Sequence, residues 1–405
     1  MGEVTLPDAP WRHRGGMDWL VAALGPGAAR FVGGAVRDTL LGLPVNDIDL
    51  ATVHPPEQVM TLLRAAGITT VPTGLKHGTV TAVLPDGPVE VTTLRRDVET
   101  HGRHATVAFT DDWTEDASRR DFTINALYAD PLTGAVFDPF GGLDDLAARR
   151  VRFIGAPLDR IAEDHLRILR YFRFHARFGH EAMDVAALAA CTARARDLMA
   201  LSRERIADEL TKLVIAARAP KVLGTMVTRA ILAPVLPEIG ADGVARLART
   251  AERERDHEVV VSADRRLAAL LPDDPALAEE IALRLRLSNA RRKRLALAVQ
   301  PYGGERPRAL AYAVGVEAAI DRAIRSGTDE ALDRVLQDLA GWTPPRLPIG
   351  GGDLVRLGVT AGPDVARLLK SVERKWVEED FTEAARVHEL ASEAAAHWLR
   401  AQSSA

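Results

Sequence analysis

Apolar and polar positions follow different patterns in the two parts of this chain. Up to about residue 140, short apolar runs are interrupted by Gly and Pro, which is typical of strands and turns mixed with a few helices. From about Leu143 nearly to the C-terminus, Ala, Leu and Arg recur at helical spacing. The pattern predicts an α+β fold, in which a small mixed β-sheet is followed by an all-α region.

The first part is expected to open with a strand, a tight turn and a short helix. Arg30–Gly34 predicts the strand and turn, Ala35–Leu41 predicts the helix, and Gly42 would end it. Asp47–Thr52 predicts a second strand. Three further runs have strand character, namely Thr79–Leu84, Val89–Leu94 and Ala105–Phe109.

Pro and Gly cluster near Ala216–Pro220 and around Trp342–Gly352. These breaks, together with the change of pattern near Leu143, predict four segments. Their predicted bounds are 1–142, 143–217, 218–340 and 341–405.

The composition bears on the compartment. The single cysteine, Cys191, can form neither an internal disulfide nor a zinc cage, so a reducing compartment fits best. No apolar run approaches the ~18 residues that span a bilayer. The stretch up to Trp19 lacks a signal-type apolar block. We therefore expect a cytoplasmic protein that does not enter a membrane.

The net charge of −4 does not by itself suggest a nucleic-acid partner, but it hides basic patches. Ile281–Leu310 contains eight Arg or Lys residues and one Glu. This patch is either a solvated helix face or a contact for a polyanion. Its densest block, Arg291, Arg292, Lys293 and Arg294, is the candidate RNA-binding segment.

The first candidate site lies between the predicted first strand and helix. The bare backbone of Gly33 and Gly34 at a helix start could receive phosphate oxygens. Arg37, one turn later, could reach the same anion. Two glycines alone are weak evidence, and a simple tight turn is the alternative interpretation.

Asp47 and Asp49 stand two residues apart on a predicted strand, so their carboxylates should share one face. Such a pair needs a cation, and Mg²⁺ combines a few carboxylates with substrate phosphate oxygens. The alternatives are a structural role or a metal site of another enzyme class. Glu90, on the strand from Val89, is either a third carboxylate of the cluster or an exposed acid at the sheet edge.

Two further motifs carry polar side chains at helical spacing. In the first, Arg120 suits a phosphate, while Asp121 and Asn125 share a helix face and suit a ribose hydroxyl. The alternative is a helix cap with solvated arginines. The second motif contains Asp164 and Arg167, followed by Arg170 and Arg173; a surface helix with an ion pair is its alternative.

If Asp164 and Arg167 lie next to a nucleotide-transfer site, they could recognise the base of the nucleotide. A carboxylate accepts a hydrogen bond from the exocyclic amine of cytosine or adenine. Uracil and guanine carry an oxo group at that position, and its lone pairs repel the carboxylate. A guanidinium can donate to the ring acceptors of the same two bases. The pair could therefore select C and A without a nucleic-acid template.

These motifs together resemble those of the class II tRNA nucleotidyltransferases, which include the bacterial CCA-adding enzymes and their poly(A) polymerase relatives. The similar runs are GGAVRD with DIDLAT, RRDFTINAL, DPFGGLDDL, EDHLRILR and ERIADEL, in family order between about residues 28 and 213. Leu94–Val107 is similar to the family's flexible loop. The resemblance implies that the four segments are the head, neck, body and tail, the last two gripping tRNA.

The resemblance also implies roles for individual residues. Asp47 and Asp49 would hold Mg²⁺ as catalytic residues, with Glu90 as a candidate third. Glu204, Arg205 and Glu209 would brace the helix that reads the base. Nucleotide contacts would come from Gly33, Gly34, Arg37, Arg120, Asp121, Asn125, Asp164, Arg167, Arg170 and Arg173.

The expected reaction is addition of C, C and A to the 3′ end of tRNA from CTP and ATP. A poly(A) polymerase with the same head is the alternative enzyme. An inactive RNA-binding protein is the alternative from another class.

Overall fold

The computed structural model describes residues 4–101 and 104–403, which form two compact units. Unit 1 runs to Ile239 and unit 2 begins at Gly240. Over the described residues, the strands all lie in unit 1, and unit 2 is built from helices. The predicted α+β class is therefore confirmed, while the division into four segments stays a prediction.

The sheet of unit 1 is mixed and seven-stranded, in the order β3-β4-β5-β2-β1-β8-β9. β2 pairs with β5 in parallel, and the other pairs are antiparallel. β6 and β7 form a separate antiparallel pair. The strands are β1 Ala29–Val32, β2 Asp49–Thr52, β3 Thr69–Gly74, β4 Thr79–Leu84, β5 Gly87–Thr93, β6 Arg95–His101, β7 His104–Phe109, β8 Tyr128–Ala129 and β9 Val136–Phe137. Residues 102 and 103 of the predicted flexible loop lie outside the described residues.

Ten α-helices of unit 1 are described: α1 Met17–Leu24, α2 Gly34–Leu40, α3 Pro56–Ala65, α4 Trp113–Ser118, α5 Gly142–Ala147, α6 Pro157–Glu163, α7 Arg167–Phe178, α8 Val185–Ala193, α9 Arg203–Val214 and α10 Ala219–Thr228. Short 3₁₀ turns occupy Pro10–His13, Leu75–His77, Thr123–Asn125 and Ala195–Ala200.

A cluster of aromatic rings packs α7 against the segment that follows α4. Phe122 lies 4.9 Å from Phe153 and 5.2 Å from Phe174, measured between ring centroids. Tyr171 stacks on Phe153 at 5.7 Å. Phe122 and Tyr171 are completely buried. Because aromatic burial of this kind dominates core energetics, the cluster fixes α7 relative to the chain around Asp121.

Three local predictions were wrong. β2 begins at Asp49, so Asp47 precedes the strand instead of lying on it. Asp121 and Asn125 do not share an α-helix face, since α4 ends at Ser118 and only a 3₁₀ turn follows. Asp164 adopts an extended conformation, with φ −149° and ψ 107°, before α7 begins.

Long-range hydrogen bonds explain why the segment around Asp121 is not helical. Phe122 forms an antiparallel bridge with Phe153. Thr123 N donates to the Arg152 carbonyl at 3.1 Å, and Ile154 N donates to the Asp121 carbonyl at 3.2 Å. These contacts use the backbone groups that an α-helix would need, so tertiary structure overrides the local pattern.

Among the described residues of unit 2, two apolar clusters and a buried group of charges contribute to the core. One cluster is centred on Leu310–Leu339 and the other on Ile349–Ala395. Arg265 joins Glu254 at 2.7 Å to Asp321 at 2.8 Å, all three being buried. The helices are α11 Ala241–Asp256, α12 Ala263–Leu270, α13 Pro275–Arg284, α14 Asn289–Ala298, α15 Pro307–Val314, α16 Val316–Ser326, α17 Asp329–Leu339, α18 Gly351–Arg356, α19 Pro363–Glu378 and α20 Ala384–Ser403. Of the helices that the structure describes, none combines the length and apolar character needed to cross a bilayer.

Candidate active site

A cavity of about 590 Å³ in unit 1 gathers most of the residues that the sequence singled out. Its lining combines glycines, acids and arginines with one aromatic ring. The lining residues are Gly33, Gly34, Arg37, Asp47, Asp49, Arg119, Arg120, Asp121, Asn125, Asp164, Arg167, Arg170 and Phe174. Glu90 and Arg173 are candidate residues that do not line it.

Gly33 forms the turn between β1 and α2. Its φ of +67° is in the left-handed region that favours glycine. A Cβ atom added there would lie 3.5 Å from the Asn125 carbonyl oxygen and 3.6 Å from Arg120 Nη1. The turn therefore exposes bare backbone to the cavity beside an arginine, as expected for a phosphate contact.

Arg37 lies within the cavity wall and is only 6% exposed. It donates to Asp38 at 2.7 Å and also to Asn125 Oδ1. Its guanidinium carbon stands 4.2 Å from the ring centroid of Phe178. Burial lowers the pKa of Arg37, against the opposing effect of Asp38. Arg37 thus holds the wall together as well as facing the cavity.

The acids form an unneutralised cluster. Asp49 is half-buried at the start of β2 and lies in register with Glu90 on β5. Burial and the neighbouring Glu90 and Asp47 carboxylates raise the pKa of Asp49, and Arg120 opposes this rise. Within the described residues, no side-chain hydrogen bond or ion pair engages Asp47, Asp49 or Glu90. Such carboxylates attract a cation.

The donor set fits a divalent ion that shares its coordination with a substrate. The described residues contain no group of three or more His, Cys, Asp or Glu side chains that could hold a metal ion. Of the three clustered acids, Asp47 and Asp49 line the cavity and Glu90 does not. Mg²⁺ is commonly bound by one or two carboxylates plus substrate phosphates, so two acids suffice.

Asp116 is a central residue of the site that the sequence analysis missed. It is 1% exposed and accepts hydrogen bonds from Arg119 at 2.7 Å, Arg120 at 3.1 Å and the Tyr128 hydroxyl at 2.6 Å. Burial alone would raise the pKa of Asp116, but these partners lower it to about 2. The spacing of this acid before Arg119 and Arg120 was the signal that could have identified it.

Asp116 also keeps Arg120 charged. Burial opposes the charge of this guanidinium, but Tyr128 and Asp116 hold the pKa of Arg120 above its ordinary value. Arg119 and Arg120 both line the cavity. The buried acid therefore fixes two cations at the place where phosphate oxygens would arrive.

Asp121 and Asn125 are neighbours although no helix connects them. Asn125 Nδ2 donates to Asp121 Oδ1 at 2.9 Å, and Arg170 Nε donates to Asp121 Oδ2 at 2.7 Å. Burial alone would raise the pKa of Asp121, but Arg170 and Asn125 hold it below its ordinary value. Asp121 is thus an ionised acceptor, and Asn125 lies beside it without the helix that the sequence predicted.

Asp164 and Arg167 are held by different partners. Arg205 Nη2 donates to Asp164 Oδ2 at 2.7 Å, and the backbone of Leu166 donates to Asp164 Oδ1 at 3.1 Å. Arg167 forms an ion pair with Glu163. Both side chains border the cavity without bonding to each other.

α9 supports α7 from outside the cavity. Arg173 pairs with the buried Glu209 at 2.5 Å, and Arg170 lies 3.7 Å from the same carboxylate. Together with the bond from Arg205 to Asp164, these contacts are consistent with bracing by α9. Glu204 is exposed on the same helix.

Phe174 is a second residue that sequence reasoning missed. It is 5% exposed, and the guanidinium carbons of Arg173, Arg37 and Arg170 lie 4.4, 5.3 and 5.3 Å from its ring centroid. Cation–π contact of this kind orients the arginines around one wall. Only its spacing of four residues from Arg170 hinted at this role.

The basic block of unit 2 is partly engaged in internal ion pairs. Arg291 pairs with Asp264 at 2.6 Å, and Arg294 pairs with Glu317 at 2.6 Å and Asp321 at 2.8 Å. Arg292 and Lys293 have no ion pair among the described residues. The RNA-binding role of the block stays a prediction.

Comparisons with known proteins identify relatives over most of the chain. Residues 29–152 match the family described as the poly A polymerase head domain, and residues 182–242 match that described as "Probable RNA and SrmB- binding site of polymerase A". The CCA tRNA nucleotidyltransferase 1, mitochondrial, of Danio rerio is 37% identical, the alignment covering 86% of this chain and 83% of the relative. The Homo sapiens protein of the same name is 34% identical, with 86% and 82% covered.

A solved structure is similar over nearly the whole chain. It is the CCA-adding enzyme of Bacillus stearothermophilus in complex with CTP, which is 28% identical. The TM-score is 0.77, and the superposition covers 95% of this chain and 97% of that one.

Glu90→Gln should lower the pKa of Asp49, because it removes one negative neighbour and keeps the shape of the side chain. Asp49 would then lose its proton at lower pH than in the wild type. Carboxyl carbon-13 NMR of aspartate-labelled protein measures the midpoint. Glu57→Gln, an exposed change on α3, is the control and should leave the midpoint where it is. An unmoved midpoint in Glu90→Gln would contradict the crowding of these acids.

Proposed function

The chain belongs to the CCA tRNA nucleotidyltransferases and catalyses tRNA CCA addition, and we propose that the cavity of unit 1 is where it does so. CTP and ATP would bind there in turn, the tRNA 3′-hydroxyl would attack the α-phosphate, and pyrophosphate would leave. One observation carries this proposal: Asp47 and Asp49, which have no ion-pair partner among the described residues, share a cavity with five arginines and with Asp164, the proposed base-reading carboxylate.

Enzymes of the nucleotidyltransferase class generally use divalent metals. We propose Mg²⁺, held by Asp47 and Asp49, which line the cavity next to the glycine turn. When bound, the ion would supply charge neutralisation at the phosphates and make the attacking hydroxyl easier to deprotonate. Glu90 lies beside Asp49 but does not line the cavity. We therefore propose that the charge of Glu90 makes the potential at the site more negative and so attracts a cation.

The cations of the cavity would bind the triphosphate. Arg119 and Arg120 are fixed by Asp116 and cannot turn away, so they would meet negative oxygens without reorganisation. The bare backbone at Gly33 and Gly34 would receive further oxygens. Asp121, ionised and held by Arg170, has lone pairs left for a ribose hydroxyl.

Asp164 and Arg167 would read the base. Asp164 accepts from Arg205 and Leu166 N, which leaves carboxylate lone pairs for an exocyclic amine. Uracil and guanine would present an oxo group to the same oxygens and be repelled. Because the amine of C and that of A are recognised alike, one site would serve both nucleotides.

Poly(A) synthesis is the alternative enzymatic activity. The relatives that align over most of the chain are named for CCA addition, which supports that activity over poly(A) synthesis. The same cavity argues against an inactive RNA-binding protein, since Asp47 and Asp49 form no ion pair among the described residues that would give them a structural role. A cytoplasmic location stays a prediction, and the two relatives carry "mitochondrial" in their names.

CTP offered alone to a tRNA that lacks CCA should be incorporated twice, and ATP should then add one residue. A poly(A) polymerase would instead extend the RNA from ATP alone. The measurement is electrophoresis of tRNAs ending before, within and after CCA, each incubated with one NTP at a time. Extension by ATP alone of a tRNA lacking CCA, without use of CTP, would contradict the proposal.

Asp47→Asn should reduce nucleotide incorporation at least ~100-fold, because it removes a charge that would neutralise the metal and hold it at the reacting phosphate. Asp18→Asn, at an exposed position on α1, is the matched control and should keep full activity. Circular dichroism checks that both variants fold. If a folded Asp47→Asn protein incorporated nucleotides at the wild-type rate, the assignment of Asp47 as a metal ligand would be refuted.

Asp164→Ala should relax the choice of base. Loss of a hydrogen bond to a charged acceptor is worth about 1.5–3 kcal/mol, so the preference for CTP over UTP should fall roughly 10- to 100-fold. The ratio of kcat/KM for the two nucleotides measures it. Asp208→Ala, an exposed acid on α9, should leave the ratio unchanged. Equal selectivity in Asp164→Ala and the wild type would exclude base reading by this residue.

A further inference from the structure

Arg160, in the last turn of α6, grips the backbone of the two arginines that line the cavity. It is 9% exposed. One nitrogen, Nη2, donates to the carbonyl of Arg119 at 2.5 Å and to that of Arg120 at 2.8 Å. The other, Nη1, pairs with Glu163 at 2.7 Å. A single planar group thus joins α6 to the backbone carbonyls of both cavity arginines.

Arg160 also contacts Arg167, one of the two residues proposed to read the base. The backbone carbonyl of Arg160 accepts from Arg167 Nη1 at 2.8 Å. Arg167 Nη2 reaches the Arg119 carbonyl at 3.1 Å, and Glu163 pairs with Arg167 as well as with Arg160. The Arg119 carbonyl therefore receives donors from both Arg160 and Arg167, one for each of its lone pairs.

These bonds link two functions that lie apart in sequence. Arg119 and Arg120 face the phosphates in the proposed mechanism, whereas Arg167 faces the base. The bonds end on backbone atoms, so they fix the position of the chain and leave the side chains of Arg119 and Arg120 to Asp116 and the substrate. A shift of the two halves relative to each other would misplace the base while the triphosphate stayed bound.

We propose that Arg160 is a positioning residue that sets the distance between the phosphate-binding arginines and the base-reading pair. The inference rests on the proposed function. A guanidinium fork presents several donors in one plane, whereas a lysine ammonium presents a single point with a shorter reach across two carbonyls and a carboxylate. Charge alone cannot replace this geometry.

Arg160→Lys tests the proposal, because it keeps the charge and removes the fork. Misplacement of a reacting group by ~1 Å can cost up to ~100-fold, so we expect kcat for CTP to fall roughly 10-fold or more with little change in KM. The preference for CTP over UTP should fall in the same variant by about 10-fold, since the base is no longer held against Asp164. Arg196→Lys, at an exposed position of unit 1, should match the wild type in all three measurements.

A second substitution keeps the proposal testable if the Arg160→Lys protein fails to fold. Glu163→Gln leaves the bonds from Arg160 to the two carbonyls but weakens the hold of Glu163 on both arginines. It should lower selectivity in the same direction and less strongly. A merely structural role for Arg160 would lower the melting temperature in both variants and leave the CTP to UTP ratio at the wild-type value, which would overturn the proposal.

Failure of the inference can be told from failure of the proposed function. Adding Arg160→Lys to Asp164→Ala should change selectivity by less than about twofold beyond Asp164→Ala alone, because both act on one interaction. Independent, multiplying effects of the two substitutions would refute the coupling. If wild-type protein failed to add C to tRNA, the proposed function would fall by itself, whatever the Arg160 variants do.

Discussion

One buried carboxylate, Asp116, sets the electrostatics of the cavity. An ionised acid inside a protein is tolerated only when it is fully paired, and Asp116 meets this condition through Arg119, Arg120 and the Tyr128 hydroxyl. The pairing works in both directions, because the acid in turn holds the two guanidinium groups in place. Without it, the arginines would be free to pair with Asp49 and neutralise the negative side of the cavity.

The remaining cations follow the same rule. Arg170 is held by Asp121, Arg173 by Glu209 and Arg167 by Glu163. Asp47 and Asp49 are the exceptions, since the described residues provide neither with an ion-pair partner. The site is therefore organised in advance for a ligand that is both polyanionic and accompanied by a cation, which is the charge pattern of a metal-bound nucleoside triphosphate.

The sequence predicted the fold class and named most of the residues that line the cavity, because the motifs that carry the family resemblance are continuous in sequence. It failed where long-range contacts decide conformation. Asp121 and Asn125 were expected on a helix face, and they meet instead across a 3₁₀ turn that is held by pairing with Arg152 and Ile154. Asp116 was missed because its importance comes from burial, whereas its spacing before Arg119 and Arg120 is shared by exposed ion pairs on helices.

Among the residues that the structure describes, the cations that line the cavity are all arginines, and neither lysine nor histidine lines it. A guanidinium stays protonated throughout the range in which proteins fold, so the attractive half of the pocket behaves as a fixed potential. Proton exchange is left to the carboxylates, with Asp49 the most easily protonated of those whose pKa is shifted. Acidification of the surroundings would thus weaken the attraction of the cavity for a cation, while the positive charge of its arginines stayed constant.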